Sequence, residues 1–413
     1  MSDVAISLLP FNHSPHAIHD STERRADGAV YSAAMAGISG DNDAFRTLRE
    51  PGDGPQREPG PIELNRYAMR TSAGAGIPTF MGFPVAITPE DLRAGDVDVA
   101  VIGAGVDMGL GSRGAMWGPM GLRTAERYIP WGGAINQVLP DQHTGVVPGE
   151  VLTCVDYGDA GIHPLDIEKS HEEIRIRVRE IIEAGAMPVV LGGDHSLMRP
   201  DMQAMADVYG AGNVGLIHFD AHFDGSADIF GAPISHGTMV RRLIEDNELR
   251  GSNFVQVGMR GWSPTDADME WMRSQNIKTH YMAEVERDGF DAVMERAIAE
   301  ASDGAEYLFI SFDIDCLDPA YAPGTGTPEP GGFTPREMFP MIRRLCAETN
   351  VVGMELVEVA PTLDPSYTTA YNGLRVIQSA LTGWAMRKQG ITEPHYLDPK
   401  KTGRDPVEGQ RTD

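Results

Sequence analysis

His218-Phe219-Asp220-Ala221-His222-Phe223-Asp224 follows the apolar residues Val214, Leu216 and Ile217, and this junction decides how the chain is read. The apolar run reads as a buried strand. Side chains of an extended segment alternate faces, so Asp220, His222 and Asp224 project the same way. Two carboxylates and an imidazole side by side make a poor core and a good cation site. Working outward, Asp313 and Asp315 repeat the spacing after a second buried run, 307–312. Gly192-Gly193-Asp194-His195-Ser196 follows a third, 188–191. Three strand ends thus deliver five carboxylates, Asp194 included, and two histidines. Two unit charges about 4 Å apart repel by roughly 4 kcal/mol at an effective dielectric of 20, so such a gathering protonates or recruits cations. Its oxygen-rich, imidazole-containing donor set suits Mn2+, Ni2+, Fe2+ or Co2+ better than Ca2+, and bridging carboxylates would let it hold two ions.

Around these motifs runs a repeating strand and helix pattern. Strands are predicted at 97–102, 151–155, 188–191, 214–219, 254–257, 307–312 and 351–357. A helix capped by Asp166 runs to Ala184 and is closed by Gly185, with Ile167, Ile174, Val178 and Ile181 as one apolar stripe. Further helical segments pass through Met202 and Met205 and cover 291–301, 335–348 and 368–388. The strands are apolar on both faces, which fits a three-layer α/β/α fold with a mainly parallel central sheet. Ligands of such sheets sit beyond the carboxyl ends of the strands, where all three motifs fall. The pattern divides the chain into an N-terminal extension (1–60), a catalytic domain (61–392) and a polar C-terminal tail (393–413). Gly103-Ala104-Gly105 suggests a dinucleotide loop, but Met108 occupies its third glycine position, and no nucleotide site is expected.

The chain carries 60 acidic against 34 basic residues, a formal net charge of −26. That balance disfavours nucleic acid and anionic membrane surfaces, which need a basic face, and favours the approach of a small cation. No apolar stretch has the length of a membrane helix, and the N-terminus lacks the basic start of a secretory signal. Cys154, Cys316 and Cys346 are few and scattered, so a reducing cytoplasm is expected.

The motifs resemble those of the ureohydrolases, the arginase and agmatinase superfamily. Gly192-Gly193-Asp194-His195-Ser196, Asp220-Ala221-His222-Phe223-Asp224 and Ser311-Phe312-Asp313-Ile314-Asp315 with Leu317-Asp318-Pro319 appear in the family's order. Ser235-His236-Gly237-Thr238, the loop from Ala322 to Gly332, and Val357-Glu358-Val359-Ala360-Pro361 complete the likeness across residues 95–390. The resemblance implies that His195, Asp220, Asp224 and Asp313 hold one metal ion. It places Asp220, His222, Asp313 and Asp315 on a second, with Mn2+ or Ni2+ as the pair. A water activated by both ions would attack a guanidinium carbon and release urea, with Asp224 also counted among the catalytic carboxylates. Glu358 would pair with the planar guanidinium, and His236 would carry a proton to the departing nitrogen. Thr325, Gly326, Met116 and Trp117 would line the substrate pocket. The same resemblance implies a homo-oligomer, a hexamer or trimer.

Plainer roles stand beside these. Asp194 reads as a cap or as a partner of a neighbouring histidine, and His218 as a hydrogen-bonded core histidine. His236 has the alternative of capping the helix that follows, and Glu358 that of a structural ion pair. Met116-Trp117-Gly118-Pro119 departs from agmatinase-like sequences, which carry an arginine there, and Phe223 and Gly225 flank Asp224 where small or polar residues are usual. Together with Val106-Asp107-Met108-Gly109 and Arg113-Gly114-Ala115, these changes point to free guanidine or a short alkylguanidine. Agmatine, guanidinobutyrate and guanidinopropionate follow within the class. A non-catalytic subunit of a mixed oligomer, and an amide or formimino hydrolase on the same scaffold, are the readings from other classes.

Overall fold

Apolar runs that alternate their side chains between two cores build the centre of the molecule. The computed structural model describes residues 57–64, 76–109, 111, 113–128, 139–262 and 264–393. Eight strands form one sheet: β1 (Val99–Ala104), β2 (Cys154–Asp159), β3 (Met187–Gly192), β4 (Val214–Phe219), β5 (Phe254–Met259), β6 (Lys278–Tyr281), β7 (Tyr307–Asp313) and β8 (Val351–Val357). Their order is β2-β1-β3-β8-β7-β4-β5-β6, and every pairing is parallel. Val99, Val101, Val189, Leu191, Ile217 and Phe219 face one core, shared with helices Phe290–Ala301, Pro335–Glu348 and Thr368–Lys388. Ala100, Ile102, Val190, Leu216 and Phe309 face the other, shared with helices Ile167–Glu183, Met198–Tyr209 and Met239–Glu245. A sheet buried on both faces is what the continuous apolar runs require.

Strands β4 and β8 and helices Pro335–Glu348 and Thr368–Lys388 occupy the expected residues. Asp166 caps helix Ile167–Glu183 by accepting from the Lys169 amide at 3.0 Å. The first two strands lie later than the apolar pattern suggests. Pro148 opens a helical turn, Pro148–Val151, so Val151 ends a helix and β2 starts at Cys154. Strand β6 escapes sequence reading because its Lys-Thr-His-Tyr run is half-buried at the sheet edge and has no apolar pattern. Of the expected extension and tail, all but 57–60 and 393 lies outside the described residues.

Candidate metal centre and active site

Four neighbouring central strands, β3, β8, β7 and β4, bring the predicted site residues to one edge of the sheet. His195 begins a short turn just past β3. Chain entry there is tight: a Cβ on Gly193 would lie 2.5 Å from Ala104 O, so only glycine fits. Asp194 is held by backbone amides. Its Oδ1 accepts from the Ser196 amide at 3.1 Å, and its Oδ2 accepts from Met108 and Gly109 at 2.6 and 2.9 Å. It is a cap that ties the loop after β1 to the histidine turn.

The cluster itself is dense. His195 Nδ1 lies 3.0 Å from Asp220 Oδ2, 3.1 Å from Asp224 Oδ2 and 3.1 Å from Asp313 Oδ2. His222 Nδ1 lies 3.0 Å from Asp315 Oδ2 and 3.5 Å from Asp220 Oδ1. Asp220 therefore offers one oxygen to each group. Asp313 Oδ1, which the resemblance gives to the second ion, accepts the Asp315 amide at 2.8 Å. His218 is near enough to join the first group, with its Nε2 2.9 Å from Asp220 Oδ2. Its Nδ1, however, lies 3.2 Å from Gln256 Nε2, which ties the ring into the layer beneath the cluster. Asp313, as close to His195 as the other aspartates, is the better fourth member.

These donor positions fit a divalent cation better than a proton. Three carboxylate oxygens crowd one imidazole nitrogen, and a single N–H can serve only one of them. Spacings of 3.0–3.1 Å match the cis edge of an octahedron with bonds of about 2.1 Å. Asp220 Oδ2 is buried yet has no donor aligned on it, despite two imidazoles within 3.0 Å. Asp224 and Glu358 both adopt left-handed backbone, with φ of 50° and 62°. Such conformations cost roughly 1–3 kcal/mol and persist where surrounding structure imposes them, often at functional sites.

Glu358 follows β8. Its Oε1 accepts from the His195 amide at 2.9 Å and stands 3.3 Å from His236 Nδ1. In the turn that holds His236, Thr238 Oγ1 accepts from the Ser235 amide at 3.0 Å. Gly109 packs on the His236 ring so closely that a Cβ would lie 2.8 Å from it. Thr325 is buried, and its loop is stitched to the segment after Glu358 by Ala360 N donating to Gly324 O at 2.8 Å. Gly326 meets the loop at Gly111, where a Cβ would lie 2.9 Å from Gly326 O. Met116 and Trp117 are about half-exposed, on a turn seated against the ends of β3 and β8 through Gly118.

A profile of the arginase family matches residues 97–383. The chain belongs to the arginase family. It is an enzyme of the ureohydrolase type on the agmatinase-like side of that family. It is 35% identical over 326 residues to the mitochondrial guanidino acid hydrolase of Homo sapiens, covering 79% of this chain and 86% of that protein. It is 36% identical over 303 residues to the mitochondrial agmatinase of Gallus gallus, covering 73% of this chain and 84% of that protein. The crystal structure of a hypothetical agmatinase from Burkholderia thailandensis superposes with a TM-score of 0.67 at 32% identity, covering 81% of this chain and all of that one.

The electrostatics of this arginase-family site show strong mutual dependence. Burial opposes charge on His195, but the carboxylates of Asp220, Asp224 and Asp313 around it outweigh that and hold the imidazole well above its usual range. His222 is likewise disfavoured by burial, yet Asp315 and Asp220 lift it to about 12. Burial and neighbouring carboxylates push Asp313 and Asp315 upward. Asp220, also buried, is driven well below the usual carboxylate range by His218, His195 and His222.

Sequence reading missed the layer beneath. Gln256, Ser311, Glu355 and Asp201 are fully buried under the cluster, and Ser311 Oγ lies 2.7 Å from His195 Nε2. A charged residue in the middle of the apolar run Val351–Val357 was the available signal for Glu355.

Proposed function

We propose that this arginase-family enzyme hydrolyses the C–N bond of a small guanidinium compound to urea, using two divalent ions held by His195, Asp220, His222, Asp224, Asp313 and Asp315. The observation that carries the reading is Asp220, whose two oxygens serve two adjacent donor groups. Bound there, the ions would supply Lewis acidity and lower the pKa of a water in the site. Mn2+ suits the mixed carboxylate and imidazole donors, and Ni2+ fits the same set.

The chain's own residues do the rest. Glu358 presents a carboxylate to the planar guanidinium, which donates to it in a charge-assisted pair, and orients the carbon toward the cluster. Asp224 accepts a hydrogen bond from the attacking water and fixes its approach. As the water oxygen bonds to carbon and the C–N bond breaks, the departing nitrogen needs a proton. His236 is placed to deliver it. Its imidazole is disfavoured by burial but lifted to about 9 by Glu358, so it carries a proton at neutral pH. Urea and ammonia, or urea and an amine, result.

Free guanidine or a short alkylguanidine is the first substrate. Met116 and Trp117 carry no charge, and Arg113 is already engaged with the Asp107 carboxylate and carbonyl. Agmatine, guanidinobutyrate and guanidinopropionate are the alternatives in the class. A homo-oligomer in the cytoplasm remains our reading of assembly and location, although both animal relatives above are named as mitochondrial. No helix among the described residues is long and apolar enough to cross a membrane. The test is urea release by purified protein across guanidine and the guanidino compounds, loaded in parallel with Mn2+ and Ni2+. Urea from guanidine at the highest kcat/KM is expected. Activity confined to long-tailed substrates would move the assignment to agmatine or the guanidino acids. Formamide or ammonia without urea would overturn it.

A further inference from the structure

Two helices of this fold gather a second set of like charges, opposite in sign to the first. Helix Pro335–Glu348 spaces Arg336, Phe339 and Arg343 three and four residues apart, and helix Thr368–Lys388 spaces Tyr371, Arg375 and Gln378 four and three apart. Residues at those spacings share one side of a helix. The two stripes line one cavity of about 530 Å³, together with a segment that carries Asp141 and His143. None of the proposed metal ligands lines it, and neither does Glu358 or His236.

The charges of this cavity do not balance. Three guanidiniums stand against one carboxylate, in a chain whose formal net charge is −26. Asp141 Oδ1 accepts from the His143 and Thr144 amides at 3.0 and 2.9 Å and from the Thr144 hydroxyl at 3.1 Å. Its Oδ2 reaches Arg343 Nη1 only at 3.4 Å, the weak end of hydrogen-bond geometry. Arg343 is 4% exposed, and its Nε has no acceptor. The adjoining residue shows what a satisfied arginine looks like in this helix. Arg344, 7% exposed, holds Glu348 at 2.8 Å and Glu295 at 2.6 Å. Gln378, also buried, accepts from Arg375 Nη1 at 2.8 Å and leaves its own Nε2 without an acceptor. Buried donors are nearly always paired, so two of them on a wall with three cations call for an acceptor from outside the chain.

We propose that this cavity is a binding site for a small organic anion, its carboxylate or phosphate held by Arg343, Arg375 and Arg336 and its apolar body laid against Phe339 and Tyr371. Guanidinium groups bind such oxyanions through paired, charge-assisted hydrogen bonds. The volume falls within the range of ligand pockets, about 300–1,000 Å³. The site is separate from the metal centre and does not depend on the reaction assigned there.

Isothermal titration of the purified, metal-loaded full chain at fixed ionic strength tests it, with phenyl phosphate in one arm and benzoate in the other. Saturable binding of about one molecule per chain is expected in at least one arm, and the tighter arm tells phosphate from carboxylate. R375Q and R343Q should each weaken that binding roughly 10- to 100-fold, with metal content at the parent level. R375Q, whose side chain is only half-buried, carries the test if R343Q does not fold. R175Q removes a guanidinium that already pairs with Asp207 at 2.7 Å and should leave the affinity within about twofold of the parent. No binding in either arm would overturn the proposal. So would binding that survives R375Q and R343Q, which would put the anion at another site. A loss in R175Q as large as theirs would also overturn it, as a response to overall charge.

Discussion

Two groups of aspartates sit at this one sheet, and they are neutralised in opposite ways. At the edge, buried Asp156 and exposed Asp159, both of β2, face Arg123, whose guanidinium contacts them at 2.8 and 2.7 Å. Asp156 also accepts from the Phe80 and Gly158 amides at 2.7 and 3.0 Å. Nothing there asks for a ligand. At the centre, Asp220, Asp224, Asp313 and Asp315 converge, and among the described residues their ion-pair contacts are to histidines alone, with no arginine or lysine. Burial alone does not mark a functional carboxylate. The lack of a resident cation does, because the cost of gathering charge must then be met from outside the chain.

The strongest test of that contrast removes the residue common to both central groups. Asp220→Ala should strip both ions and lower urea release by more than about 10³-fold, read by metal content and turnover together. Arg123→Ala, by contrast, should leave metal content untouched. Full turnover in Asp220→Ala would show that the centre does not depend on its shared oxygen.

Stability separates the two regions next. Arg123→Ala strands Asp156 without its partner and should cost about 3–5 kcal/mol, seen as a lower denaturation midpoint with or without chelator. Asp313→Asn should behave differently in chelated protein. Burial and the neighbouring Asp315 and Asp220 already push the Asp313 carboxyl upward, so a neutral isostere relieves repulsion and the midpoint should hold or rise. A drop as large as that of Arg123→Ala would mean that the central aspartates are structural after all. Smaller again is Glu358→Gln, which should raise KM for the guanidinium roughly 10- to 100-fold through loss of a charge-assisted pair while metal content stays at the parent level.

The edge and the centre also differ in how far they can be read without coordinates. Strand β4 and its Asp220-Ala221-His222-Phe223-Asp224 tip were legible because a long apolar run and a period of two are local signals. Strand β6 was not, since an edge strand need bury neither face fully. Asp194 was legible as a cap, but its second task, holding the amides of Met108 and Gly109, joins segments more than 80 residues apart. Glu355 and Ser311 became neighbours only through the register of β7 against β8. Register is set by packing between strands, and no stretch of single-chain sequence carries it.

The smallest expected effect concerns the pair that joins the two halves of the proposed chemistry. His236, opposed by burial but held by Glu358, titrates at about 9 in the folded chain, against about 6.5 when unfolded. A raised imidazole contributes stability that is fully present below about pH 6.5 and is lost as pH climbs through about 9. Stability should therefore fall as pH climbs across this window. Thermal melts of chelated protein between pH 6.5 and 9.5 read it directly. His236→Gln should flatten that slope, whereas the slope should survive Arg123→Ala, because Arg123 stays charged throughout. An unchanged slope in His236→Gln would place the titrating group elsewhere, and His236 would lose its claim to carry the proton at neutral pH.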